Sequence, residues 1–118
     1  MTKFTIYHNP RCSKSRQTLA LLQEAGIEPQ IALYLENAPS ATELSQLLKK
    51  LGIDARTLLR KGEDAYKTLG LADTTLTDEA IIQAMAENPK LIERPIVVSD
   101  DKAVLGRPPE NVHQLIKA

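Results

Sequence analysis

The chain has 118 residues, 42% hydrophobic and 3% aromatic, with fifteen basic side chains, fifteen acidic ones and one cysteine. That is about one domain's length, and Leu, Ile, Val and Phe, 31 of the 118 residues, exceed the roughly one-fifth level below which chains tend to stay disordered. Balanced charge argues against a duplex-coating protein, few aromatics against a single-strand stacking platform, and one cysteine against an internally stapled scaffold.

No apolar run approaches the roughly 20 residues of a bilayer span, and the stretch Met1-Thr2-Lys3-Phe4-Thr5-Ile6 is too short and polar for a signal peptide. The expectation is a soluble, cytoplasmic, single domain over 1–118 with no nucleic-acid or membrane partner. Charge is unevenly placed: residues 1–61 carry a net +4 and residues 62–118 a net −4. A basic half that holds the cysteine suits a small anionic ligand better than a polymer.

Phe4-Thr5-Ile6-Tyr7 alternates and is β-branched or aromatic, which predicts a strand at 3–8, broken by His8-Asn9-Pro10. From Ser13 the apolar residues Leu19, Leu22 and Ala25 recur at helical spacing, with Gly26 where a helix-ending glycine belongs. Ile31-Ala32-Leu33-Tyr34-Leu35 predicts a second strand, largely buried. One helix between two strands is a βαβ unit, whose strands run parallel. Ser40-Ala41-Thr42-Glu43 has the capping-box pattern, and Leu44, Leu47, Leu48 and Leu51 follow on one helical face until Gly52. Short helical pieces continue around Arg56–Leu59, Asp64–Leu69 and Asp78–Glu87. Ile96-Val97-Val98 and Ala103-Val104-Leu105 predict an antiparallel hairpin around Ser99-Asp100-Asp101-Lys102. Pro109 opens a closing helix with Val112, Leu115 and Ile116 on its inner side. The order is β-α-β, a helical insertion at about 40–90, then β-β-α: an α/β chain with a four-stranded mixed sheet.

Much chemistry is excluded by what is missing. The five glycines are scattered, so no phosphate loop or dinucleotide fingerprint can be written. One Cys and two distant His residues give no zinc spacing; no metal or bound cofactor is expected. What stands out is Cys12 in His8-Asn9-Pro10-Arg11-Cys12-Ser13-Lys14-Ser15-Arg16, a loop leading from strand to helix. A thiol there meets unpaired backbone N–H groups and the positive helix end, both favouring thiolate. Arg11, Lys14, Arg16 and a protonated His8 would push the same way. A lone cysteine is otherwise a small buried hydrophobe, but these neighbours are cationic and hydroxylic rather than apolar. His8 reads equally well as structural or catalytic. Ser15 reads as a helix-start cap that could also donate to the thiolate. Thr18, not arginine, stands six residues after Cys12, so the phosphatase-type Cys-x5-Arg loop is absent.

An anion beside Cys12 must then be held by groups from elsewhere. Arg60, Arg94 and Arg107 are candidates, although each alone also reads as a solvated surface charge. Arg94 and Arg107 precede prolines, where the chain is stiff, and guanidinium forks match tetrahedral oxyanions. A cis bond at Arg94-Pro95 is expected in a β-α-β…β-β-α domain with an active cysteine after its first strand.

These residues resemble the glutaredoxin-dependent arsenate reductases of the ArsC family. The likeness is carried by Tyr7-His8-Asn9-Pro10 before Cys12, Ser15-Arg16, Thr18-Leu19, Leu33-Tyr34-Leu35-Glu36-Asn37, Leu58-Leu59-Arg60-Lys61, Leu69-Gly70-Leu71-Ala72, Arg94-Pro95-Ile96-Val97-Val98 and Arg107-Pro108. It implies a thioredoxin-like fold, Cys12 as nucleophile, His8 lowering the thiol pKa, and Arg60, Arg94 and Arg107 on the oxyanion. It also implies arsenate as substrate, glutathione as co-substrate, glutaredoxin as protein partner and a role in arsenic detoxification. The well-studied members read Cys-Gly-Thr-Ser-Arg, whereas this chain has Cys12-Ser13-Lys14-Ser15-Arg16.

Two other readings stay open from sequence. One is an Spx-like regulator that binds RNA polymerase, although the Cys-x-x-Cys switch is replaced by Cys12-Ser13-Lys14-Ser15. The other is a monothiol reductase of glutathione mixed disulfides, which would not need the three arginines.

Overall fold

The alternating Phe4–Tyr7 segment forms strand β1, and its one fully buried side chain, Ile6, points into the core. The computed structural model describes residues 4–99 and 102–116. These divide into two compact units, Met1–Asn37 with Arg94–Ala118, and Ala38–Glu93.

In the first unit, β1 is followed by helix α1 (Ser13–Glu24), strand β2 (Gln30–Ala32), strand β3 (Ile96–Ser99) and strand β4 (Lys102–Leu105). The sheet order is β2-β1-β3-β4. β1 runs parallel to β2 and antiparallel to β3, which pairs antiparallel with β4. The α/β class, the mixed four-stranded sheet and the expected hairpin are all present. Asp100 and Asp101 of its predicted turn lie outside the described residues, as does Lys3 of the first predicted strand.

Helix α1 presents Ser15, Thr18 and Leu22 inward, all fully buried. Leu22 joins Ile6, Val97, Val112 and Leu115 in one cluster, with Phe4, Leu19, Ile27 and Val104 packed against it. Each such aliphatic side chain contributes about 1.5–3 kcal/mol relative to exposure. The closing segment begins at Pro109 as a 3-10 turn (Pro109–Val112) and becomes helical only over His113–Ile116.

The second predicted strand differs from expectation. It is three residues long, and Gln30 and Ile31 are exposed, because β2 is the sheet edge rather than a central strand. The chain leaves the ladder at Leu33, where turn bonds from the Glu36 and Asn37 N–H groups to the Leu33 carbonyl take over. Tyr34 alone of this stretch turns inward, at 1% exposure.

The second unit is helical: α2 (Ala41–Leu51), α3 (Ala55–Leu58), α4 (Asp64–Thr68), α5 (Asp78–Glu87) and a 3-10 turn at Pro89–Leu91. Ser40 caps α2 by accepting the Glu43 N–H, and Asp54 and Thr77 cap α3 and α5 in the same way. Gly52 ends α2 with φ of 71°, a left-handed conformation that costs glycine little. Leu44, Leu47 and Leu48 form the buried stripe of α2, and α2 and α3 both pack on α5. Among the described residues no helix is long and apolar enough to cross a membrane.

Candidate active site around Cys12

The chain leaves β1 with one last ladder bond, from the His8 N–H to the Ala32 carbonyl at 2.9 Å. Pro10 has no N–H to offer and disfavours helix at Asn9, so the loop turns before α1 begins. Cys12 is the helix N-cap residue, in extended conformation, and its carbonyl accepts the Arg16 N–H at 3.0 Å. Its side chain is partly exposed.

Burial pushes the Cys12 thiol up, but opposing contacts win and its pKa lies below the ordinary value. Those contacts are the Ser15 N–H, the hydrogen bond and charge of the Arg94 guanidinium, and the Lys14 N–H. Helix-start amides therefore act as expected. The charge comes from a different source than the sequence suggests. Among the groups that favour the thiolate, Arg94 is the cation; Arg11, Lys14 and Arg16 side chains are exposed and do not figure. Arg16 instead extends its Nη1 to the Pro10 carbonyl at 2.8 Å.

His8 is the second candidate of this loop. It is buried, and burial together with the Arg16 charge lowers its pKa. Both effects favour the neutral imidazole, and His8 is not among the groups that lower the Cys12 pKa. Its Nδ1 lies 2.8 Å from the Ser15 hydroxyl, which also accepts the Asn9 N–H at 3.0 Å. Ser15 thus faces Cys12 through its backbone N–H while its hydroxyl is occupied on the other side.

Arg94 precedes Pro95 across a cis peptide bond, as the sequence reading anticipated, and Arg107–Pro108 is a second cis bond. The Arg94 guanidinium meets both the Cys12 sulfur and the Tyr34 hydroxyl; burial disfavours its charge, and these two partners more than restore it. Arg107 is exposed, and its Nη1 donates to the Arg94 carbonyl at 3.3 Å. Cys12, Arg94 and Arg107 are therefore linked within the first unit. Arg60 belongs to the second unit. It follows the short antiparallel bridge of Leu59 with Ile92, and its Nη1 lies 3.7 Å from Glu93 Oε1.

Behind the site, Thr18 and Gly106 are in close contact. The Thr18 hydroxyl bonds the Lys14 carbonyl at 2.9 Å and approaches the Gly106 carbonyl at 3.4 Å. A Cβ on Gly106 would lie 2.5 Å from Thr18 Oγ1 and 2.8 Å from Pro95 Cγ. The Gly106 N–H closes this corner on the Pro95 carbonyl at 2.9 Å.

Tyr34, Thr18, Gly106 and Asn9 were given no role at the site from sequence, although Asn9, Thr18 and Tyr34 lie in the segments that carry the family likeness. Thr18 could have been found, because it continues the Ser15–Leu22 face at helical spacing. Asn9 carried the turn signal of an Asn-Pro pair. Nothing local distinguishes Tyr34 from its strand-like neighbours. Among the described residues no group of His, Cys, Asp and Glu is placed to hold a metal ion.

Comparison with known proteins gives one consistent picture. Residues 7–115 match the model of the ArsC family. The chain is 59% identical to the uncharacterized protein YfgD of Escherichia coli K12, over 98% of this chain and 99% of that one. It is 50% identical to an arsenate reductase of Haemophilus influenzae, over 94% and 97%. It also superposes on the solved arsenate reductase of Vibrio cholerae with a TM-score of 0.94, at 54% identity, covering 96% of this chain and 97% of that one. The thioredoxin-like architecture expected from the sequence is the architecture of these relatives.

Proposed function

The chain belongs to the ArsC family, and from that premise we propose that it is an arsenate reductase in which Cys12 is the nucleophile and glutathione and glutaredoxin supply the electrons. The observation that carries this reading is the Arg94 guanidinium against a Cys12 sulfur whose pKa is already lowered. One cation serves two purposes there. It holds the sulfur as thiolate, and it offers N–H donors to an oxyanion that approaches the sulfur.

In the first step the thiolate attacks arsenic, an arsenic–sulfur bond forms, the bond to one arsenate hydroxyl breaks, and that hydroxyl leaves as water after taking a proton from solvent. Arg94 and Arg107 neutralise the remaining oxygens, and preorganised donors of this kind stabilise charge as it develops. Arg60 joins them in the proposal on the family resemblance alone. Cys12 is the one cysteine in the sequence, so the second thiol comes from outside. Glutathione thiolate attacks the Cys12 sulfur, the arsenic–sulfur bond breaks, and its electron pair stays on arsenic as arsenite. Cys12 is left as a mixed disulfide with glutathione, which glutaredoxin reduces. The proposed reaction uses no metal or bound cofactor, and it belongs in the cytoplasm, where glutathione is kept reduced.

The test is arsenate-dependent glutathione oxidation in the presence of glutaredoxin, comparing wild type with Cys12→Ser. Turnover by wild type that is abolished in the variant supports the proposal. Equal rates with and without the protein would overturn it.

A further inference from the structure

The loop that presents Cys12 is cut off from the sheet after His8, and its backbone groups must find partners elsewhere. Three of its bonds converge on one residue. Asn9 Oδ1 accepts the Arg11 N–H at 3.0 Å, the Asn9 carbonyl accepts the Cys12 N–H at 3.0 Å, and the Asn9 N–H donates to the Ser15 hydroxyl at 3.0 Å. Asn9 is 8% exposed, although it is polar and lies in a loop. Its amide is folded back onto the chain two residues ahead, an arrangement that asparagine and aspartate side chains form readily.

We infer that Asn9 is a positioning residue for Cys12, fixing which backbone amides face the sulfur. The Arg11 and Cys12 N–H groups are both occupied by Asn9, and the amides that face the thiol are those of Lys14 and Ser15. The same residue ties the loop to the start of α1 through Ser15, so the thiol and its amide donors are held as one piece. Pro10 reinforces this by restricting the backbone of Asn9 and removing a competing donor. A neutral amide is also the right chemistry at this position. Aspartate would accept the same hydrogen bond but set a negative charge near a sulfur that must itself be negative.

This inference rests on the reading of Cys12 as the nucleophile, but its test reads the thiol itself and needs no arsenate. A failure here leaves the arsenate reductase reading standing, and failure of that reading leaves the thiol measurement valid. The experiment measures the pH dependence of Cys12 alkylation and of thiolate ultraviolet absorbance for wild type, Asn9→Ala, Asn9→Ser and Asn9→Asp, with a thermal melt for each. Asn9→Ala is expected to raise the thiol pKa by roughly 0.5–1, about a three- to tenfold change in the thiol–thiolate equilibrium constant. Asn9→Ser keeps a shorter acceptor and should recover part of the loss. Asn9→Asp keeps the shape and should raise the pKa in a manner that added salt weakens. A residue that contributed only to stability would shift the melting temperature without moving the pKa of the folded protein. An unchanged thiol pKa in folded Asn9→Ala would overturn the inference. If Asn9→Ala does not fold, Asn9→Leu, which fills similar space without an acceptor, takes its place, and an unchanged thiol pKa in that variant overturns the inference equally.

Discussion

Arg94 holds the Cys12 sulfur with the same guanidinium that it presents to the Tyr34 hydroxyl. The cation that matters to the thiol therefore arrives from the approach to β3, the strand paired with β1, at the same end of the sheet as the loop that carries the cysteine. A fixed fork between two partners also explains why arginine suits the position better than a flexible ammonium.

Arg94→Ala is expected to raise the Cys12 thiol pKa toward the free-cysteine value of about 8.5, and Arg94→Lys to raise it less. Arg11→Ala should leave it where it is, since the Arg11 side chain is exposed and takes no part in the shift. Alkylation rate against pH measures all three. A large effect from Arg11 and none from Arg94 would show that local sequence charge, not the tertiary contact, sets the thiol.

Oxyanion affinity gives an independent reading of the arginines. Each charge-assisted contact is worth about 1.5–3 kcal/mol, so Arg94→Ala and Arg107→Ala should each weaken arsenate or sulfate binding roughly ten- to a hundredfold. Arg60→Ala carries the same expectation from the family resemblance. Protection of Cys12 from alkylation by increasing oxyanion provides the measurement. A variant with wild-type protection removes that arginine from the site.

How legible these contacts were in the sequence differs by residue. Cys12, its helix-start amides and the β-α-β…β-β-α order follow from local pattern, because turn chemistry and periodicity act over a few residues. The stripe of Leu44, Leu47 and Leu48 was plain for the same reason. The charge assignment was not. Arg11, Lys14 and Arg16 are near Cys12 in sequence, but all three are exposed, and the Arg16 guanidinium is engaged by the Pro10 carbonyl instead. His8 read equally well as structural or catalytic, and its burial, a tertiary property, is what favours the uncharged ring. Ile31–Leu35 had the composition of a buried strand, yet strand order is a tertiary property and put it at the edge.

The lowered His8 pKa has a consequence for stability. A histidine whose folded pKa is depressed binds its proton more readily in the unfolded chain. Its contribution is complete above the unfolded value of about 6.5 and is lost as pH falls through the lower folded value. Urea unfolding should therefore show stability dropping in mildly acidic buffer. His8→Gln should flatten that slope, and a slope unchanged by the substitution would place its origin elsewhere.

Cys12 behaves in the corresponding way at the alkaline end. Its depressed thiol pKa contributes stability that is fully present above the unfolded cysteine value of about 8.5 and is lost as pH falls through the folded pKa. The stability gap between wild type and Cys12→Ser should widen from weakly acidic to alkaline pH. A constant gap would argue against a lowered thiol pKa.

The helical unit offers a control that leaves the thiol alone. Ser40→Ala removes the acceptor for the Glu43 N–H, a 3.1 Å bond at the start of α2. The expected cost is about 0.5–2 kcal/mol, read as a lower urea midpoint. Cys12 alkylation in the folded protein should keep its wild-type pH profile, and a shifted profile would refute the separation.

Covalent reduction of arsenate through Cys12 is tested most directly by one arrested turnover. Wild-type protein is mixed with arsenate and glutathione without glutaredoxin, and both arsenite and the mass of the protein are quantified. The prediction is one Cys12–glutathione mixed disulfide for each arsenite formed, with neither product from Cys12→Ser. Arsenite formed while Cys12 remains a free thiol, or a mixed disulfide that accumulates equally without arsenate, would contradict the account.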